Sequence, residues 1–224
     1  MIKKILKIMK VLLLFMLFFT VSSIFAMIFN IDIENISEKE NIFYSFLCNL
    51  IYVIIIVLCY FKSLKKDFKE FIKNFGTMFE DAFKYYLVGL GIMLFSNIII
   101  TFFFSELAEN EQLVRSYIDL APALMFIEVS LFAPFSEELL FRKSIRELVS
   151  NKWLYIFISG FIFGGLHVIG TPGLLGILSL IPYCSLGFAF SYTYAKSNNI
   201  FSTISMHMLH NSATIILYFI GASL

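Results

Sequence analysis

Eight polar or ionisable residues stand inside stretches that are otherwise apolar: Glu128, Glu137, Glu138, Arg142, His167, His207, His210 and Asn211. They include all three histidines of the chain. An ionisable side chain inside a bilayer costs roughly 2.5–3.5 kcal/mol even on the lenient insertion scale. Such residues either hold helices together or do chemistry. Adjacent residues on a helix point about 100° apart, so Glu137 and Glu138 cannot share a face. Glu138 and Arg142 are i and i+4 and can pair, which lowers the cost of burying both charges. Glu137 is then free to point elsewhere, and Pro134 just before it predicts a kink. His207 and Asn211 are also i and i+4, on one face of another helix. Phe163 and His167 repeat that spacing on a third helix, where Gly160 and Gly164 form a GxxxG that admits a close neighbour.

Two schemes of acyl hydrolysis use this set. A carboxylate among apolar groups suits a general base acting on water. One histidine can orient that water, while a second histidine and an asparagine donate to the oxyanion of a tetrahedral intermediate. Alternatively, Glu137, His167 and His207 form a two-histidine, one-carboxylate zinc site with an open position for water. The residue types admit both. Interhelical hydrogen bonding, at about 0.6–2 kcal/mol per contact, explains any one of these residues but poorly explains their recurrence in three helices. For Glu128 a satisfied acid, and for His210 a packed histidine, is the simpler reading. Phe163 reads first as packing and second as a wall of the pocket.

The elements that must position these residues follow from composition. The chain has 224 residues, of which 59% are hydrophobic and only 15% charged, with a mean hydropathy of +0.86. No soluble domain of this size could bury so much apolar surface. We read an all-α, multi-pass transmembrane bundle of about seven spans, near 8–29, 42–61, 84–104, 120–141, 153–169, 174–194 and 201–221. The first, preceded by Lys3, Lys4, Lys7 and Lys10, is longer than a signal-peptide core and reads as a signal-anchor. With the N-terminus in the cytoplasm, 15 of the 17 Lys and Arg residues fall on the cytoplasmic side. The outer loops keep Lys39 and Arg115 and hold Asp32, Glu34, Glu38, Glu40, Glu106, Glu109, Glu111 and Asp119. This asymmetry predicts a cell-membrane protein with a cytoplasmic N-terminus and an external C-terminus. Residues 61–83 alternate Phe and Lys at helical spacing and predict an amphipathic helix on the cytoplasmic leaflet. No internal repeat divides the chain, so 1–224 reads as one membrane-embedded domain. Cys48, Cys59 and Cys184 form neither a CxxC pair nor a disulfide framework, and no nucleic-acid motif is present.

Three strings, in order and in separate spans, carry a family resemblance. Glu137-Glu138-Leu139-Leu140-Phe141-Arg142 resembles an EExxxR motif, Phe163-Gly164-Gly165-Leu166-His167 an FxxxH motif, and His207-Met208-Leu209-His210-Asn211 an HxxxN motif. Together they resemble the CPBP family of CAAX proteases and bacteriocin-processing, Abi-type enzymes, with a catalytic core over 119–221. The resemblance implies an intramembrane endopeptidase acting on a peptide or protein substrate that reaches the site from the membrane or cytoplasmic side. It implies Glu137 as the base, His167 as its partner and His207 with Asn211 as the oxyanion or metal pole. Glu138, Arg142 and Phe163 are then supporting residues, and zinc is a possible cofactor. His210 occupies a variable position of its motif and inherits no role. Two other functions use the same scaffold: a non-catalytic bacteriocin-immunity or regulatory protein, and a proton-carrying transporter, which the lack of repeat symmetry disfavours.

One geometric demand remains. On these spans Glu137 and His207 lie towards the cytoplasmic side, whereas His167 falls near the outer end of span five. A single site needs one depth, which a longer fourth helix, roughly 120–149, provides.

Overall fold

The computed structural model describes residues 2–105 and 107–221; Glu106, counted among the outer acids, lies outside the described residues. These residues are helical and contain no strand. In chain order the helices are α1 (Ile2–Phe29), α2 (Glu38–Lys73), α3 (Phe75–Phe103), α4 (Glu109–Leu120), α5 (122–148), α6 (Lys152–Leu166), α7 (Gly173–Ser197) and α8 (Phe201–Phe219). Helices α1, α2, α3 and α7 are long and apolar enough to cross a membrane. Their outer faces show Leu58, Ile98 and Phe102 fully to the surroundings, as lipid permits and water does not. The chain is a multi-pass membrane protein. Helices α5, α6 and α8 depart from the simple span pattern because they are interrupted, short or polar, and these are the three that carry the motifs.

Local signals set the ends. Ser37 opens α2 with a capping box: its Oγ accepts the Glu40 N–H, and its own N–H donates to the Glu40 carboxylate at 2.8 Å. Asn198 closes α7 in the left-handed region, φ 51°, with its N–H on Tyr194 O. Residues 61–83 do not form a separate amphipathic helix. Residues 61–73 are the last turns of α2, which runs 36 residues, and 75–83 begin α3, with the break at Asn74. At about 54 Å, α2 is far longer than the ~30 Å hydrocarbon layer, so its lysine-rich end extends past the apolar span. Residues 109–120, expected as outer loop, form the amphipathic helix α4.

Helix α5 supplies the depth that the sequence demanded. It continues past 141 to Leu148 and contains two wide π turns, Glu128–Phe132 and Glu138–Ser144. Glu137 thereby lies about 16 Å from the end of α5 and His167 about 22 Å from the start of α6, at 1.5 Å per residue. The two helix ends adjoin at the 149–151 turn, so both side chains fall at middle depth.

Helix α7 is the central post against which α3 and α6 pack. A Cβ on Gly164 would lie 2.8 Å from the Cys184 backbone nitrogen, and one on Gly187 2.6 Å from Gly160 O. The GxxxG expected to admit a neighbour does so here. Gly164→Val should therefore destabilise the fold by about 1–3 kcal/mol through overpacking. Gly165→Ala, which meets nothing within 4 Å, should leave it unchanged; thermal unfolding in detergent reads the difference.

Candidate functional site

Each motif side chain is placed by its own helix. Glu138 begins the second π turn of α5 and is completely buried, as is Arg142. The two pair, Arg142 Nε to Glu138 Oε2 at 3.2 Å. The other carboxylate oxygen of Glu138 accepts from His207 Nδ1 at 2.9 Å. With Nδ1–H held there, Nε2 of His207 faces Glu137, whose Oε2 lies 3.8 Å away. Glu137 is the less buried of the two acids, 16% exposed at its side chain against 0% for Glu138. The adjacent acids thus diverge, one into the packed interior and one into a cavity.

His167 comes to the same cavity from the end of α6. Its Nδ1–H donates to Phe163 O at 2.8 Å, so Nε2 of the neutral ring is the free acceptor. Its ring lies between Phe163, 4.5 Å away, and Tyr183, which stacks at 4.9 Å and 28°. Phe163 holds three motifs together: its ring meets His167, stands edge-on to His207 at 5.8 Å and lies 4.3 Å beneath the Arg142 guanidinium. Asn211 donates from Nδ2 to Val129 O, 2.8 Å away in the first π turn of α5. Glu137, His167, His207 and Asn211 line one cavity of about 500 Å³.

The remaining polar groups are engaged elsewhere. His210 lines the cavity but its Nδ1 meets the Tyr86 hydroxyl at 3.3 Å. Glu128 accepts from Asn49. Three features escaped the sequence. Phe190 of α7 stacks on His207 at 5.2 Å and 28°, and Tyr183 of α7 on His167; both belong to a span without any ionisable motif, so nothing marked them. The Glu138–His207 bond was legible in principle, because a carboxylate has two oxygens and Arg142 occupies one.

The zinc set was tested against this geometry. Among the described residues no three His, Cys, Asp or Glu side chains converge as metal ligands. Glu137 and His207 face each other, and the Nδ1–H bond to Glu138 leaves Nε2 of His207 free, as metal ligation would require, but no third ligand joins them among the described residues. As placed, Glu137, His167 and His207 do not fit a three-ligand zinc site.

Residues 119–213, which contain all three motifs, match the family described as type II CAAX prenyl endopeptidase Rce1-like. That segment of the chain is similar to CAAX-type membrane proteases. A relative from Bacillus subtilis (strain 168), named "Putative membrane peptidase YdiL", is 29% identical over 150 residues, covering 66% of this chain and 52% of the relative. The match therefore spans about half the length of that relative. No solved structure matches the chain.

Removing one partner of a buried ion pair leaves the other charge unanswered. Arg142→Met should lower stability by about 3–5 kcal/mol, and Arg142→Met combined with Glu138→Leu should recover part of the loss. Unfolding of both variants in detergent measures this.

Proposed function

We propose that the protein is an intramembrane endopeptidase in which Glu137 activates water against a peptide carbonyl. The observation that carries this reading is the meeting of Glu137 with His207, 3.8 Å apart, on a cavity also lined by His167 and Asn211. The similarity of residues 119–213 to CAAX-type endopeptidases supports a membrane peptidase in general, and the chemistry of the side chains supports the assignment of roles.

In this scheme the Glu137 carboxylate removes a proton from water while His167, with Nε2 free as acceptor, orients the second O–H. The hydroxide adds to the carbonyl carbon, and the carbonyl oxygen becomes an oxyanion. Asn211 keeps one N–H on Val129 O and has a second N–H to offer. His207 can donate from Nε2 in its imidazolium form, with Nδ1–H still on Glu138. Both donors would stabilise the oxyanion, a contribution of the kind worth about 10²–10³-fold in rate per donor. As the tetrahedral intermediate collapses, Glu137 returns its proton to the departing amine nitrogen and the C–N bond breaks. Glu138, Arg142, Phe163 and Phe190 touch no reacting atom in this scheme; they fix the orientation of His207 and keep its Nδ1–H on Glu138.

The test is cleavage of a panel of membrane-inserted peptides by purified protein in proteoliposomes, read by mass spectrometry. Glu137→Gln should lower the rate by about 10²–10⁴-fold, and Asn211→Ala by about 10²–10³-fold, with unfolding temperature unchanged for Glu137→Gln. Cleavage by Glu137→Gln at the parental rate would reject the base. A chelator should leave activity intact; loss of activity together with release of stoichiometric zinc would replace the glutamate scheme by a metal one.

A further inference from the structure

The two ends of the bundle differ in charge, and the cavity joins only one of them. At one end Lys10 pairs with Glu147 at 2.7 Å, Lys143 with Asp67 at 2.8 Å and Lys196 with Asp81 at 3.5 Å. These contacts gather the start of α1, the end of α2, the start of α3 and the ends of α5 and α7, and with them nearly all of the lysines and arginines. At the other end Asn41 donates to the Tyr117 hydroxyl at 3.2 Å, Tyr218 to Asp119 at 2.8 Å and the Glu109 N–H to Thr171 at 2.9 Å. That end holds Asp32, Glu34, Glu38, Glu40, Glu109, Glu111 and Asp119 against Lys39 and Arg115.

The cavity has its floor at Ser136, Phe163 and His207, which are buried, and at the partly buried Glu137. It runs from there to Thr101, Ser105 and Leu113, where the lining is exposed, at the end of α3 and along α4. Towards the basic end the described residues below Glu137 are closely packed. Leu139, Leu140, Phe141, Arg142, Ile200, Ile204 and Met206 are all at most 1% exposed and fill the section below Glu137.

We infer that the substrate enters from the acidic end and that this end faces away from the cytoplasm. The positive-inside rule places a lysine-rich end in the cytoplasm, so the chamber is closed on that side and open on the other. A peptide segment presented in the cytoplasm would meet packed core, whereas one presented at the outer surface would meet the mouth between α3 and α4. This route differs from the expectation that the substrate reaches the site from the membrane or cytoplasmic side. It rests on Glu137 as the hydrolytic centre, but its test does not require catalysis.

Cys59 is the exposed cysteine, while Cys48 and Cys184 are buried, so Cys59→Ser provides a background for added thiols. Ser136→Cys, on the cavity floor, should be modified in intact cells by a small charged thiosulfonate that does not cross membranes. Leu113→Cys at the mouth should react likewise, and Lys69→Cys at the basic end only after permeabilisation. Attaching a polymer-linked maleimide to Leu113→Cys should abolish modification of Ser136→Cys in the same molecule. Ser179→Cys, also a buried lining position, repeats the floor measurement on a different helix. Reaction of Lys69→Cys in intact cells would overturn the orientation. Reaction of both floor positions only from the basic side would overturn the route. Labelling as expected in a protein that cleaves no peptide would reject the hydrolytic reading and leave the route standing.

Discussion

Glu138 lies wholly inside a membrane bundle, where no water can answer its charge, and both of its oxygens are committed to side chains of the protein. Arg142 meets one and His207 the other. An ion pair so deep in a low-dielectric medium is a poor source of stability, because desolvation offsets most of the attraction. What it provides is position. The bond to Nδ1 fixes the plane and tautomer of His207, and the stacked Phe190 ring fixes its tilt. Phe163, beneath the guanidinium and beside both His167 and His207, carries that order to the second histidine. The arrangement resembles the orienting carboxylate of a hydrolytic triad in its logic, with the cavity-facing nitrogen set by the bond on the opposite nitrogen.

The two π turns of α5 make this arrangement possible. Glu137 lies between them, and a wide turn shifts the phase of the helix that follows, so neighbouring faces need not stay 100° apart along the whole length. Carbonyls inside these turns are also gripped from outside. Val129 O accepts from Asn211 and Phe141 O from Ser159 at 2.7 Å, while Leu139 O accepts from Ser144 of the same turn at 3.0 Å. Tyr60 then reaches Ser144 at 2.8 Å, and Ser191 reaches Ser159 at 2.8 Å. In lipid a backbone carbonyl has no solvent partner, and the irregular stretch is tolerated because neighbouring helices satisfy it. The same bonds pin α2, α6, α7 and α8 to α5 at the level of the site.

Much of this was legible in the residues. Spacing alone paired Glu138 with Arg142 and separated Glu137 from both, and the need for a common depth required α5 to run beyond 141. The membrane architecture followed from apolar length and composition. What was hidden has physical causes. The aromatic rings on His167 and His207 come from α7, where Tyr183 and Phe190 look like any others in a chain holding 28 Phe and 11 Tyr. The continuity of α2 through 61–73 was hidden because lysine and phenylalanine together fit both a surface helix and a span that outruns its bilayer. α4 was hidden because short amphipathic helices depend on what they cover, here the mouth of the cavity.

Sealing on one side and opening on the other also bears on the chemistry. Hydrolysis needs water at Glu137 and little water at the oxyanion donors, since donors act most strongly where they are not already solvated. A chamber that narrows onto His207, itself 5% exposed, from a mouth at the end of α3 meets both needs along one axis. In the proposed reaction, water and peptide would arrive from the wide end, with the charged network that holds the imidazole buried beneath it. The cost of burying Glu138 and Arg142 is then the cost of keeping the orienting layer out of the reaction, and the cavity floor is the boundary between the two.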